Sequence, residues 1–102
     1  MTEPHEFVID EAHPSLAGHF PGDPIVAAAI LLDRVISHVE RVFGKKVSTI
    51  PTAKFLTPVR PQQTIVVSIK SVAPDQVSLI GSVSGANVFS VTLMLEGHVE
   101  RD

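Results

Sequence analysis

Hydrophobic positions along this chain follow two different periods. From Ile25 to Phe43 they recur every three or four residues: Leu31, Leu32, Val35, Ile36, Val39, Val42 and Phe43. That spacing predicts one helix over Ile25–Phe43, with Arg34, Ser37, His38, Glu40 and Arg41 on other faces. Gly44, followed by Lys45 and Lys46, is a stop signal: a residue free to turn left-handed, with cations near the negative helix end. The first half of the helix, "IVAAAILL", is apolar on every side, which predicts burial all round there. His38 falls on the polar side and is expected to be solvated.

After Gly44 the period becomes two. "KVSTIPTAKFLTPV" (Lys46 to Val59) reads as extended chain interrupted by Pro51. In "QTIVVSIKSVA", Ile65, Val67 and Ile69 share one face; in "DQVSLIGSVSG", Val77, Leu79 and Val83 do. "NVFSVTLMLEGHVE" alternates Phe89, Val91, Leu93 and Leu95 with their neighbours. "APDQ" and "SGAN" are hairpin-length polar connections. Before the helix, "EFVID" (Glu6 to Asp10) is a short strand, followed by "EAHPSLAGHFPGDP", whose three Pro and two Gly exclude a long regular element. The expected order is strand, loop, helix, then four strands in an antiparallel meander. One hydrophobic helix and one sheet pack best when the sheet curls around the helix, an α+β arrangement.

The totals narrow this reading. The 102 residues make one domain, 1–102, with 44% hydrophobic and 19% charged residues, a globular balance. A core of this size is thin, so burial against a second copy is expected to help. A net charge of -3 gives no electrostatic reason to bind nucleic acid. With no Cys there is no thiolate metal site and no cysteine nucleophile. The acidic N-terminus does not read as a signal peptide, and the longest apolar run is too short for membrane insertion, so the expected location is cytoplasmic.

Three features carry candidate chemistry. His19 sits between Pro14, Gly18, Pro21, Gly22 and Pro24, residues that restrict or redirect the backbone and hold one side chain in place, as a catalytic base requires. A plain loop histidine is the alternative. Asp33 lies two turns into the helix among Ile30, Leu31 and Leu32; in such company a carboxyl would stay protonated and act as an acid, whereas at the edge of the polar face it would see water. Ala27, Ala28 and Ala29 leave the first helical N–H groups open to a carbonyl oxygen that gains charge, although alanine is also simply a good helix former. His5, His13 and His98 have no partner at metal-ligand spacing, and no nucleotide fingerprint or nucleophile elbow is present.

"GHFPGDPIV", a helix, and an acid fourteen residues after the histidine resemble the hotdog-fold 3-hydroxyacyl-[acyl-carrier-protein] dehydratases of fatty acid synthesis. "KFLTPVRP" (Lys54 to Pro61) is similar to that family's K-F-x-x-P-V-x-P segment. The small size also resembles the shorter dehydratase-like proteins encoded with aryl-polyene or pigment biosynthesis. The resemblance implies a hotdog fold and loss of water from a 3-hydroxyacyl thioester held on the phosphopantetheine of an acyl carrier protein. It gives His19 the α-proton and Asp33, from the other subunit, the departing hydroxyl. Phe20, Pro21, Ala28, Ala29 and Leu32 then contact substrate. No metal or other cofactor is implied. The expected assembly is a homodimer, or a heterodimer with a related chain, with Arg34, Lys54 and Arg60 as a basic rim for the acidic carrier. Where the family has Pro-Gly, this chain has Ala27-Ala28. That departure leaves room for a non-catalytic or half-site subunit, and the fold also serves acyl thioesterases.

Overall fold

The computed structural model of the chain describes residues 4–10 and 26–98. Its elements are β1 (His5–Val8), α1 (Ala28–Phe43), β2 (Lys45–Phe55), β3 (Thr64–Ala73), β4 (Gln76–Val83) and β5 (Ala86–His98). They form one antiparallel five-stranded sheet in the order β1-β3-β4-β5-β2, curled around the single helix as a hotdog fold.

The alternating residues build the core as expected. Ile65, Val67, Val77, Leu79, Val91 and Leu93 point to one side of the sheet and are fully buried. Against them α1 sets Leu31, Val35 and Val39, spaced four residues apart along one stripe. Leu32, Ile36 and Phe43 pack at the edge of this cluster, while Val42 is exposed. Each fully buried valine or leucine contributes on the order of 1.5–3 kcal/mol over leaving it in water.

The strand order corrects the expected four-strand meander. Only β3, β4 and β5 are joined by hairpins; β2 pairs with β5 instead of β3 and occupies the far edge. The connection from Leu56 to Gln63 is longer than a hairpin, carries Pro58 and Pro61, and crosses from the β2 edge to β3, the strand beside the opposite edge. Along that crossing the N–H of Gln62 donates to the Ile9 carbonyl at 2.9 Å, joining it to the end of β1.

Pro51 does not interrupt the strand that holds it. β2 runs through it, and the pairing with β5 slips between Thr49 and Thr52. A proline has no N–H for the ladder, and an edge strand with a bulge is where a sheet tolerates that loss.

The helix begins at Ala28, three residues later than the periodicity predicts; Val26 and Ala27 precede it and Ile25 lies outside the described residues. It ends as predicted: Gly44 is left-handed (φ 66°) and its N–H donates to the Glu40 carbonyl at 2.9 Å. Glu40 also accepts the Val47 N–H on Oε2 at 2.8 Å, which ties the helix end to the start of β2.

Two burial expectations are corrected. The first turn of α1 is not buried all round, because Ala28 and Ala29 are exposed in the single chain. His38, expected in solvent, is buried, since β1 lays His5 flat against it. No helix among the described residues is long and apolar enough to cross a membrane.

Candidate functional site

A groove of about 200 Å³ opens beside the start of α1. One wall is Val26, Ala28 and Leu31; the other is the continuous run Phe55, Leu56, Thr57, Pro58 and Val59. Three backbone hydrogen bonds build it. The Val26 N–H donates to the Val59 carbonyl at 2.7 Å and brings the two walls together. The N–H groups of Leu56 and Thr57 both donate to the Val88 carbonyl, at 2.8 and 3.4 Å, and hold the run against β5. Thr57 carries the only side-chain polar atom among the described lining residues, so the groove suits an apolar chain.

Behind this wall Phe55 faces Phe89 across the β2–β5 ladder, with ring centroids 5.9 Å apart. The Phe89 ring in turn covers Gly81 of β4, its cross-strand partner. A methyl group at position 81 would collide with that ring. Gly81 therefore lets Phe89 lie close to the sheet and support Phe55 at the groove wall.

The mouth of the groove carries the positive end of α1. Ala27 is extended (φ -65°, ψ 144°) and makes no side-chain cap. Its carbonyl accepts the N–H groups of Ile30 at 3.0 Å and Leu31 at 3.4 Å. The N–H groups of Ala28 and Ala29 have no acceptor within the helix. The first turn holds no acidic residue to offset the partial positive charge there. A carbonyl oxygen entering beside Ala28 would meet donors already in place, which favours any reaction that builds negative charge on that oxygen.

The sequence-predicted residues divide into three groups. His19, Phe20 and Pro21 lie outside the described residues. Ala28 lines the groove, and Ala29 is exposed beside it on the same turn. Leu32 is half-buried and packs on the core, and Asp33 is exposed; neither lines the groove. Asp33 is two residues beyond Leu31, about 200° around the helix, so it turns away from its own chain's groove. The apolar shell expected around its carboxyl is absent in the single chain: Leu31 is buried beneath the helix, while Asp33 stands outside.

The basic rim is also split. Lys54 is exposed on β2 and Arg60 is exposed on the crossing, so they flank the groove run on either side. Arg34 instead lies over the Phe7 ring of β1, 4.8 Å from its centroid, at the opposite sheet edge from β2.

Sequence reasoning did not assign Val26, Leu31 or the run Phe55–Val59 to the site. The signal was present in "KFLTPVRP", whose two prolines and loss of alternation mark a segment that leaves the sheet.

Comparison with known proteins agrees with this architecture. Residues 4–90 match the family described as ApeI-like, ApeI dehydratase. No curated protein matches the chain by sequence. Among solved structures, an uncharacterized protein from Erwinia carotovora subsp. atroseptica is similar with a TM-score of 0.81 and 20% identity, covering 98% of this chain and 90% of that one. The dehydratase heterocomplex ApeI:P from Xenorhabdus doucetiae matches with a TM-score of 0.76 and 19% identity, covering 88% and 82%. The fluoroacetyl-CoA thioesterase FlK is a more distant fold relative, with a TM-score of 0.55, 16% identity, and coverage of 95% and 85%. The family match spans most of the chain, takes in β1, α1 and the groove run, and coincides with a hotdog fold: this protein belongs to the ApeI-like dehydratase family.

Proposed function

We propose that the chain is a dehydratase subunit that removes water from a 3-hydroxyacyl thioester, carried on the phosphopantetheine of an acyl carrier protein. The observation that carries this reading is the apolar groove ending at an uncapped helix start. An acyl chain lies along such a groove while its thioester oxygen accepts an N–H from Ala28 or Ala29.

With the oxygen held there, the α-proton becomes acidic enough for a neutral imidazole to take. His19 is assigned that role from the G-H-F-P block. The electrons of the α C–H bond form the α–β double bond, and the β-hydroxyl leaves. It departs as water with a proton from a carboxylic acid, the role assigned to Asp33. The products are the trans-2-enoyl thioester and water. This chemistry is acid–base throughout and calls for no metal or redox group.

Asp33 turned away from its own groove supports a paired site, in which each acid serves the neighbouring subunit. The likeness to a dehydratase heterocomplex supports a related dehydratase-like chain as the partner, with a homodimer as the alternative. Exposed Ala28 and Ala29 are then covered in the assembly. A carrier-bound substrate implies the cytoplasm.

One second reading has an observation behind it. Ala27 and Ala28 stand where the resembled dehydratases have Pro-Gly, and the Ala28 side chain lines the groove. A half-site subunit, inactive alone, fits that substitution.

The test is product analysis on a carrier-bound 3-hydroxyacyl thioester, with the protein alone and mixed with a dehydratase-like partner. Enoyl product from the protein alone supports the full enzyme. Enoyl product only from the mixture supports the half-site subunit. Free thiol without enoyl product would replace both with a thioesterase.

A further inference from the structure

Away from the groove, β1 and α1 meet through two histidines. The rings of His5 and His38 are stacked, with centroids 4.1 Å apart and planes 9° from parallel. His38 is 9% exposed, and its Nδ1 is buried without a hydrogen-bond partner. The His5 ring also lies 5.9 Å from that of Phe7, and Arg34 covers Phe7 from the helix side.

Among the described residues, the surroundings offer a proton no compensation. From α1, the charged groups acting on the pair are Arg34 and Arg41, both cations. Of the helix carboxylates, Glu40 is engaged with the Val47 N–H, and Asp33 is exposed on another side of the helix. Along β1, Glu6 alternates to the face opposite His5 and Phe7. From β3, the residues opposite His5 and Phe7 are Val67 and Ile65, both apolar. A neutral pair stacks as two flat rings. One imidazolium would face two guanidinium groups and a desolvated neighbour, and two would also repel each other.

β1 is the shortest of the five strands, and its other ties are the buried Phe7 and Ile9 and the Gln62 N–H that the Ile9 carbonyl accepts. It has four residues, sits at a sheet edge, and pairs only with β3. We propose that the His5–His38 stack is a proton-operated clasp, holding β1 against α1 while both rings are neutral and loosening it when either is protonated.

Electrostatics support this: burial first, then Arg41 and Arg34 for His5, and His5 and Arg41 for His38, push both histidines below the ordinary value of 6.5. The clasp is therefore closed above that value and opens as pH falls through the lowered ones. This proposal is independent of the catalytic reading, because its readout is backbone exchange.

The experiment is amide hydrogen exchange at about pH 7.5 and about pH 5, corrected for intrinsic rates, with β4 as the internal reference. β1 protection is expected to fall about tenfold more than β4 protection. The variant pair His5→Phe and His38→Leu keeps apolar packing and removes both protons' sites; it is expected to abolish the difference. Equal losses in β1 and β4, or a pH dependence that survives in the double variant, would overturn the proposal. Should the double variant not fold, the native chain decides: a loss of β1 protection that follows the imidazole titrations seen by NMR below 6.5 upholds the proposal, and ring titrations at or above 6.5, or β1 protection that does not follow them, would overturn it.

Discussion

The Val26 N–H donates to the Val59 carbonyl across 2.7 Å, and this one bond brings the segment before α1 against the run that follows β2. The groove exists because those two segments, more than thirty residues apart in sequence, meet there. Ala28 stands at the meeting point, with its N–H free of helical partners and its methyl in the groove wall.

Replacing Ala28 by leucine should therefore fill the groove without harming the fold. Ala28 is exposed in the single chain and leucine is a good helix former, so the stability of the chain itself should change by no more than about 0.5 kcal/mol, with subunit association checked by light scattering. Turnover of an acyl thioester should fall about tenfold or more, the equivalent of roughly 1.4 kcal/mol in transition-state binding. Steady-state kinetics beside a denaturant titration separate the two effects, and unchanged kinetics would remove the groove from the site.

Gly81→Ala should act through Phe89. The new methyl collides with the buried ring, which must shift within a packed core. A cost of about 1–3 kcal/mol is expected from such overpacking, and thermal unfolding would show it as a drop of roughly 4–8 °C per kcal/mol. Phe89→Leu in the same background should recover part of the loss, because it clears the ring from position 81.

Glu40→Ala should cost about 1–3 kcal/mol, since it leaves the Val47 N–H without its acceptor. Glu40→Gln keeps an acceptor oxygen and should cost less than half as much. Urea denaturation distinguishes them, and equal losses would mean that the hydrogen bond is not what Glu40 supplies.

Stability should rise with pH through the acid side of neutrality. His5 and His38 are held below 6.5 mainly by burial, so the unfolded chain binds more protons than the folded one in that range. Their contribution is fully present above 6.5 and is lost as pH falls through the lowered values. Urea midpoints across pH 5 to 8 should show this slope, and His5→Phe with His38→Leu should flatten it.

Much of the fold was legible because burial imposes period. Leu31, Val35 and Val39 announced the helix face, and Ile65, Val67, Val77 and Leu79 announced the inner sheet face. Partner choice was not legible, since alternation says which side a residue faces but not which strand lies beside it. Chain order alone then sets β2 next to β3, and only the structure shows that the connection after Phe55 crosses the sheet. His38 was misread for a related reason: its burial is created by His5, a residue more than thirty positions away, and no pattern local to the helix records that contact. For the site, the open first N–H groups at the alanine run could be read from sequence, although the helix start was expected at Ile25. The opposite wall depended on where "KFLTPV" goes after leaving the sheet.

The most direct test is the rate of enoyl formation from a carrier-bound 3-hydroxyacyl thioester, with a dehydratase-like partner present, in the native protein, His19→Ala and Asp33→Asn. The account predicts enoyl product from the native protein and losses of about 10²–10⁴-fold in each variant, as for removal of a general base or acid. No enoyl product from the native protein, or full rates in both variants, would contradict it.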